Sequence, residues 1–274
     1  MPPEIHFPYE EIAQMSERVR ELCVRRDVRI KKLADLSKLL ILASNAVALG
    51  SGPPSVELCR AHRVLAAILA CEDEPELGAP LKRIASSPLD PASQAHSPGK
   101  DALFELETLQ YIRHRGLKAR LGEPDVIVSA PFGDYFVACK TIDSLNGFEG
   151  QLRRGTHQVE KRGYGCIAFN LEPHSLVDQP IRVQNSHALV DRLDTHLRSL
   201  YMKHKRLIDV RLEAARLDGV MLQISCFAQI AQGGSDMDVF THTVFYSRSD
   251  LQGAAARERF NGFSLSMQGP LVSL

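Results

Sequence analysis

At 274 residues, 44% hydrophobic and 24% charged, the chain is long enough for one large or two small domains with substantial cores, and too ordinary for bulk disorder. Its formal net charge is zero, so affinity for nucleic acid has to come from a local patch, and its six cysteines form no CxxC pair and no metal-spaced cluster with histidine, which argues against zinc and a disulfide framework. The longest apolar run, 39–50, is interrupted and too short for a bilayer, and no basic-then-apolar leader opens the chain, so the expectation is a cytoplasmic protein with no membrane partner.

Residues 9–72 read as helical. Ile12, Met15, Val19 and Leu22 recur at helical spacing, as do Ile30, Leu33, Leu36 and Leu40. Val64, Leu65, Ile68 and Leu69 mark a third helix after the breaker Ser51-Gly52-Pro53-Pro54. The cations between Arg18 and Lys32 are interspersed with acids, which fits a solvated helix surface better than a nucleic-acid stripe. Such helices also suit a module that binds a partner protein or a second copy of the chain. From Ser86 to Lys100, Pro, Ser and Gly replace the apolar periodicity. The boundary is placed there, giving an N-terminal all-α module over 1–97 and a second domain over 98–274.

A helix is expected from Asp101 to Arg115, closed by Gly116. Ala102, Leu106, Leu109 and Ile112 form its apolar face. Glu105 is in step with Leu109 and Ile112 and so points inward, which is costly for an acid unless it is paired or holds a cation. Glu107 aligns with Tyr111 and His114 and points outward.

After a strand at Leu117–Leu121, two runs rich in Val, Ile, Tyr and Phe flank Pro131-Phe132-Gly133-Asp134, the signature of a hairpin. With the turn centred on Phe132-Gly133, 131 pairs with 134 and Asp125 stands opposite Lys140. Position 138, two residues from 140, shares their face. It is an alanine.

The next helix runs from about Glu149 to Arg162 and ends at Gly163. Leu152, Gly155 and Val159 face inward, while Gln151 and Gln158 share a flank. Tyr164–Leu171 reads as a buried strand, and the order strand, helix, strand implies a parallel crossover and a mixed sheet. A long helix over 186–217 and strands at 219–230 and 239–247 complete the pattern. The tail from Gly253 carries no clear signal. Between 151 and 206 ten lysines and arginines face five acids. Arg153, Arg154, Lys161, Arg162, Lys203, Lys205 and Arg206 are the candidates for contact with a phosphate backbone.

An inward helix acid (Glu105), Pro124-Asp125 at a strand start and Ala138-Cys139-Lys140 on the partner strand resemble the PD-(D/E)xK nuclease superfamily, which includes restriction endonucleases and Holliday-junction resolvases. The resemblance covers about Lys100 to Leu171, in the order helix, hairpin, helix, strand. Gln158 is similar to the glutamine that many members carry on the helix after the lysine strand. The resemblance implies an α/β, restriction-endonuclease-like mixed sheet flanked by helices, and a DNA endonuclease of the kind used in restriction or phage defence. It implies Mg²⁺, with Mn²⁺ as a substitute, held by Asp125, an acid at 138 and the carbonyl of Cys139, with Glu105 completing the shell. Lys140 would orient or deprotonate the attacking water, since phosphodiester hydrolysis needs an activated water and neutralised charge. The departure is Ala138, because a methyl ligates nothing. Three readings of it stand: a Glu→Ala replacement that silences cutting, natural decay to a binding module, or a carboxylate supplied instead by Glu149 or Glu160. Retention of Glu105, Asp125, Lys140 and Gln158 favours the first.

Overall fold

The apolar spacing that opens the chain produces α1 (Tyr9–Arg25), with Ile12, Val19 and Leu22 buried. The structure, a computed structural model, describes residues 8–49, 54–175, 180–214, 217–231, 237–247 and 253–268; most of the breaker at 51–54 lies outside them. Next come α2 (Asp35–Ser44), the short α3 (Ala46–Leu49) and α4 (Val56–Leu69). The hydroxyl of Ser55 caps α4 by accepting from the Leu58 amide at 3.2 Å. Helix α2 begins at Asp35, not at Ile30. The preceding segment is drawn to the end of α5 (Gly78–Ile84), where the Lys31 amide donates to the Ala85 carbonyl at 3.1 Å, and Leu33 is left 83% exposed. Part of the cationic face of α1 is an internal tie. Arg18 and Arg25 pair with Glu72, and Arg26 donates to the carbonyls of Glu72 and Glu74.

Helix α6 (Pro98–His114) starts with Ser97 accepting from the Gly99 amide and with Pro98 in its first turn, where a missing N–H costs nothing. Gly116, at φ 75°, closes it as expected. Strands β1 (Ala119–Leu121), β2 (Val126–Ala130) and β3 (Gly133–Thr141) form an antiparallel meander. Helix α7 (Phe148–Arg162) then crosses over to β4 (Gly165–Asn170), which runs parallel to β3. After β5 (Ile181–Val183) and the 29-residue α8 (Ser186–Ala214) come β6 (Leu217–Ile230), β7 (Asp238–Tyr246) and α9 (Ala254–Met267). Val220–Gln223 of β6 pair with β4 and β7 at once, and Ala228 pairs with β5 and β7. A strand has two edges, so β4 and β5 share one edge of β6 and β7 takes the other.

The result is a seven-stranded mixed sheet with helices on both faces. Side chains alternate between two cores, as strand geometry requires. Val137, Cys139, Cys166 and Ala168 face α6, the N-terminal helices and α9. Ala138, Ile167 and Phe169 face α7 and α8. All six residues of β4 are buried, the mark of a strand covered on both sides. The first core joins α1, α2, α4 and α5 to α6 and the sheet without a break, so it runs across the boundary drawn at 97/98.

The sequence pattern missed α5, β5 and α9. Three residues are too few for strand periodicity, and α9 buries only Phe260, Phe263 and Met267. Among the described residues, no helix is long and apolar enough to cross a membrane.

Candidate functional site

The hairpin turns one residue earlier than the sequence suggests, which slips the cross-strand register by two. Ala130 pairs with Gly133 and Val126 with Val137, so the turn is Pro131-Phe132. That puts proline at the second turn position, which its fixed φ suits, and glycine at the fourth. One further step of this register sets Asp125 level with Ala138, not with Lys140. A slip of two residues preserves the alternation, so Asp125, position 138 and Lys140 still share one side of the sheet.

Lys140 reaches diagonally. Its Nζ lies 3.1 Å from Asp125 Oδ2 and 2.6 Å from the carbonyl oxygen of its neighbour Cys139. The same Asp125 oxygen accepts from the Cys139 amide at 2.7 Å, which ties the start of β2 to β3. From α6, Glu105 enters the same space, and Arg83 of α5 grips it with two bonds, Nη1 to Oε1 at 3.0 Å and Nη2 to Oε2 at 2.7 Å. Along α7 the i, i+3, i+7 spacing presents Gln151, Arg154 and Gln158, with His157 beside them.

These groups line one open cleft of about 510 Å³, together with His96, Asp101, Cys139 and Thr141. The lining holds three cations (Arg83, Lys140, Arg154) and three acids (Asp101, Glu105, Asp125), so it is polar and close to neutral. Thr141 Oγ1 and Gln158 Oε1 are buried there without a hydrogen-bond partner. At the rim, Lys100 and His96 both meet Asp143, at 2.8 Å and 3.2 Å, and Lys100 also donates to the Ser93 carbonyl.

Burial, reinforced by the nearby Glu105 carboxylate, pushes the Asp125 carboxyl up to about 7 against the opposing pull of Lys140. Asp125 is therefore poised to exchange a proton near neutral pH.

Glu105, Asp125, Lys140, Gln158, Cys139 and Arg154 thus meet in one cleft. Ala138 does not line it; its methyl is fully buried in the core under α7. Glu149 and Glu160 do not line it either. Arg153, Lys161 and Arg162 are exposed on α7, and Arg162 lies 3.6 Å from Glu123. Lys203 and Arg206 are exposed on α8, and Lys205 pairs with Asp209. The outward placement of Glu107 is wrong. Arg63 of α4 binds it through Nε and Nη2 and binds Glu172 through Nη1 and Nη2, all at 2.6–2.9 Å, because α4 covers the side of α6 taken to face solvent. Arg83, His96 and Asp101 are site residues that the sequence did not single out. Arg83 belongs to a helix of only seven residues, which left no periodicity to find it by.

The donor set falls short for a divalent ion. Asp125 and the Cys139 carbonyl are both engaged by the Lys140 ammonium, Glu105 is held on both oxygens by Arg83, and Ala138 offers nothing. Among the described residues, no group of three or more His, Cys, Asp or Glu side chains is placed to hold a metal ion. The chain matches no protein-family model and no curated protein sequence.

Proposed function

We propose that this is a DNA-binding protein of the PD-(D/E)xK nuclease type, whose hydrolytic step is silenced by alanine at position 138. The observation that carries this reading is the convergence of Glu105, Asp125, Lys140 and Gln158 in one cleft from four separate elements. The order α6, β1, β2, β3, α7, β4, with an antiparallel meander followed by a parallel strand, supports it as well.

On this reading the phosphate backbone enters between β3 and α7. Arg154 and Lys140 meet its charge, and Gln158 and Thr141 offer their unspent oxygens to the waters that hydrate it. The Lys140 ammonium, already fixed between Asp125 and the Cys139 carbonyl, holds a phosphate oxygen or water in place. In nucleases of this type Mg²⁺ supplies activation of the attacking water and neutralisation of developing charge. The residues present here do not complete its shell. A glutamate at 138 would start level with Asp125 and carry its carboxylate past the buried position of the Ala138 methyl toward the cleft.

The test is Ala138→Glu, assayed on supercoiled plasmid with Mg²⁺ or Mn²⁺, with Lys140→Ala in that background as control. Cleavage that appears with the carboxylate and vanishes with the lysine supports the proposal. A folded Ala138→Glu protein that binds DNA without cutting it moves the conclusion to a second reading, a module that binds without catalysis. One observation favours that rival: two of the three cleft carboxylates are already paired with protein cations, Glu105 with Arg83 and Asp125 with Lys140.

A further inference from the structure

The sheet ends differently on its two sides. At one, β1 is three residues long and exposes Arg120, a short charged edge that discourages further pairing. At the other, β7 is nine residues long and holds no proline, lysine or arginine. Its Val239, Phe240, Val244 and Phe245 are each only partly buried, whereas every residue of β4 is buried.

The bonds of β6 fix which backbone groups of β7 point off the sheet. The Gln223 carbonyl accepts from the Leu171 amide and the Ala231 amide donates to the Val183 carbonyl, both at 2.9 Å, so the odd-numbered residues along β6 turn toward β4 and β5. Opposite them stand the odd-numbered residues of β7, Gln223 with Thr243, Ser225 with Thr241 and Phe227 with Val239. Opposed residues of an antiparallel pair turn their N–H and C=O either toward each other or both away. Val239, Thr241, Thr243 and Phe245 therefore face outward. The Val239 amide donates to its neighbour Asp238 Oδ1 at 2.7 Å. Among the described residues, nothing bonds the outward backbone groups of the other three.

The strand also reads nearly the same in both directions. About His242, Thr241 answers Thr243, Phe240 answers Val244 and Val239 answers Phe245. A second copy, turned over on a two-fold axis through His242, sets every outward residue opposite an outward residue. It also sets threonine against threonine and aromatic against β-branched, pairings that stabilise antiparallel strands, and no like charges meet. About six backbone hydrogen bonds form without disturbing the Val239 tie. We propose that β7 is the dimerisation edge of this chain, where two copies pair antiparallel about His242 and join their sheets into one. The inference stands whatever the cleft between β3 and α7 binds.

The experiment is sedimentation velocity of the full chain over a concentration series, beside Thr243→Pro with its folding checked by thermal melts. The Thr243 amide points outward, so a proline there takes nothing from the β6–β7 ladder, yet it removes a donor from each copy and sets a ring in the interface. The wild-type chain is expected to reach twice the monomer mass, and Thr243→Pro to do so only at about tenfold higher concentration. Thr241→Pro, on the same edge, replaces that variant if it does not fold. The register is read by His242→Cys under a mild oxidant. The two-fold sets its Cα atoms about 4.5 Å apart, within disulfide reach, while those of Thr241→Cys stand diagonal and too far. A disulfide-linked dimer from His242→Cys, with none from Thr241→Cys or the wild-type chain, supports the proposal. A chain that stays monomeric overturns it and leaves the edge to a strand of another protein. A dimer that Thr243→Pro leaves intact, or that His242→Cys does not cross-link, overturns it and places the contact between copies elsewhere, as on the N-terminal helices.

Discussion

Helix α6 carries two glutamates, two residues apart, and each is gripped by an arginine from the N-terminal helices. At about 100° per residue they point to opposite sides of the helix. Glu107 meets Arg63 in a sealed cluster that Glu172 completes. Glu105 meets Arg83 at the wall of an open cleft. The chemistry of the two pairs is the same, but the surroundings differ: the Arg63 side chain is 12% exposed and that of Arg83 is 37%. A sealed ion cluster can only hold elements together, here α4, α6 and the turn after β4. An open pair can exchange partners. Packing around the pair, more than the pair itself, separates a structural bond from a site.

The largest effect should come from breaking the sealed cluster. Arg63→Met leaves Glu107 and Glu172 facing each other without their cation, and burial already pushes the Glu107 carboxyl up despite Arg63. Removing one member of a buried cluster costs about 3–5 kcal/mol. Arg83→Met leaves Glu105, whose side chain is 11% exposed, with only the cleft's solvent in place of its cation, at about 1–3 kcal/mol. Urea midpoints of the two variants measure the difference. Equal losses would show that the cleft pair is as structural as the sealed one.

A second contrast lies in protonation. The Asp125 carboxyl titrates near 7 when folded and in the ordinary carboxylate range when unfolded. Between those values the folded chain holds the extra proton, so Asp125 makes the protein less stable as pH rises from about 4 to about 7. Asp125→Asn has no such proton to lose. The stability of the wild-type chain relative to this variant should therefore fall with rising pH, by at most about 1.4 kcal/mol per pH unit. Denaturant midpoints across that range read it. A constant offset between the two proteins would mean that Lys140 keeps Asp125 ionised throughout.

Much of this arrangement is legible in the sequence, and the failures have physical causes. Glu105 reads as inward because helical periodicity places it beside Leu109 and Ile112. The face shared by Asp125, position 138 and Lys140 survives a wrong turn centre, since alternation is indifferent to a slip of two. Glu107 is misjudged because a single helix shows only its own polar stripe. A covering helix that brings an arginine turns that stripe into interior, and neither Arg63 nor Glu172 lies near it in sequence. Arg83 is invisible for the same reason. Charge counting misleads differently: Lys205 and Arg162 add to a basic excess on paper, while Asp209 and Glu123 stand beside them in space.

The smallest predicted effect tests which cations serve the cleft. Arg154 lines it, whereas Lys203 and Arg206 stand exposed on α8, outside its lining. Each phosphate neutralised on duplex DNA contributes about 0.9 to the slope of log affinity against log salt. Arg154→Ala should lower that slope by about this amount and weaken binding evenly across sequences, because a phosphate contact carries no base information. Lys203→Ala/Arg206→Ala should leave the slope where it was. Fluorescence anisotropy with a labelled duplex over a salt series separates the two. If the α8 pair lowers the slope and Arg154 does not, DNA runs over α8, and the cleft between β3 and α7 is not where its backbone lies.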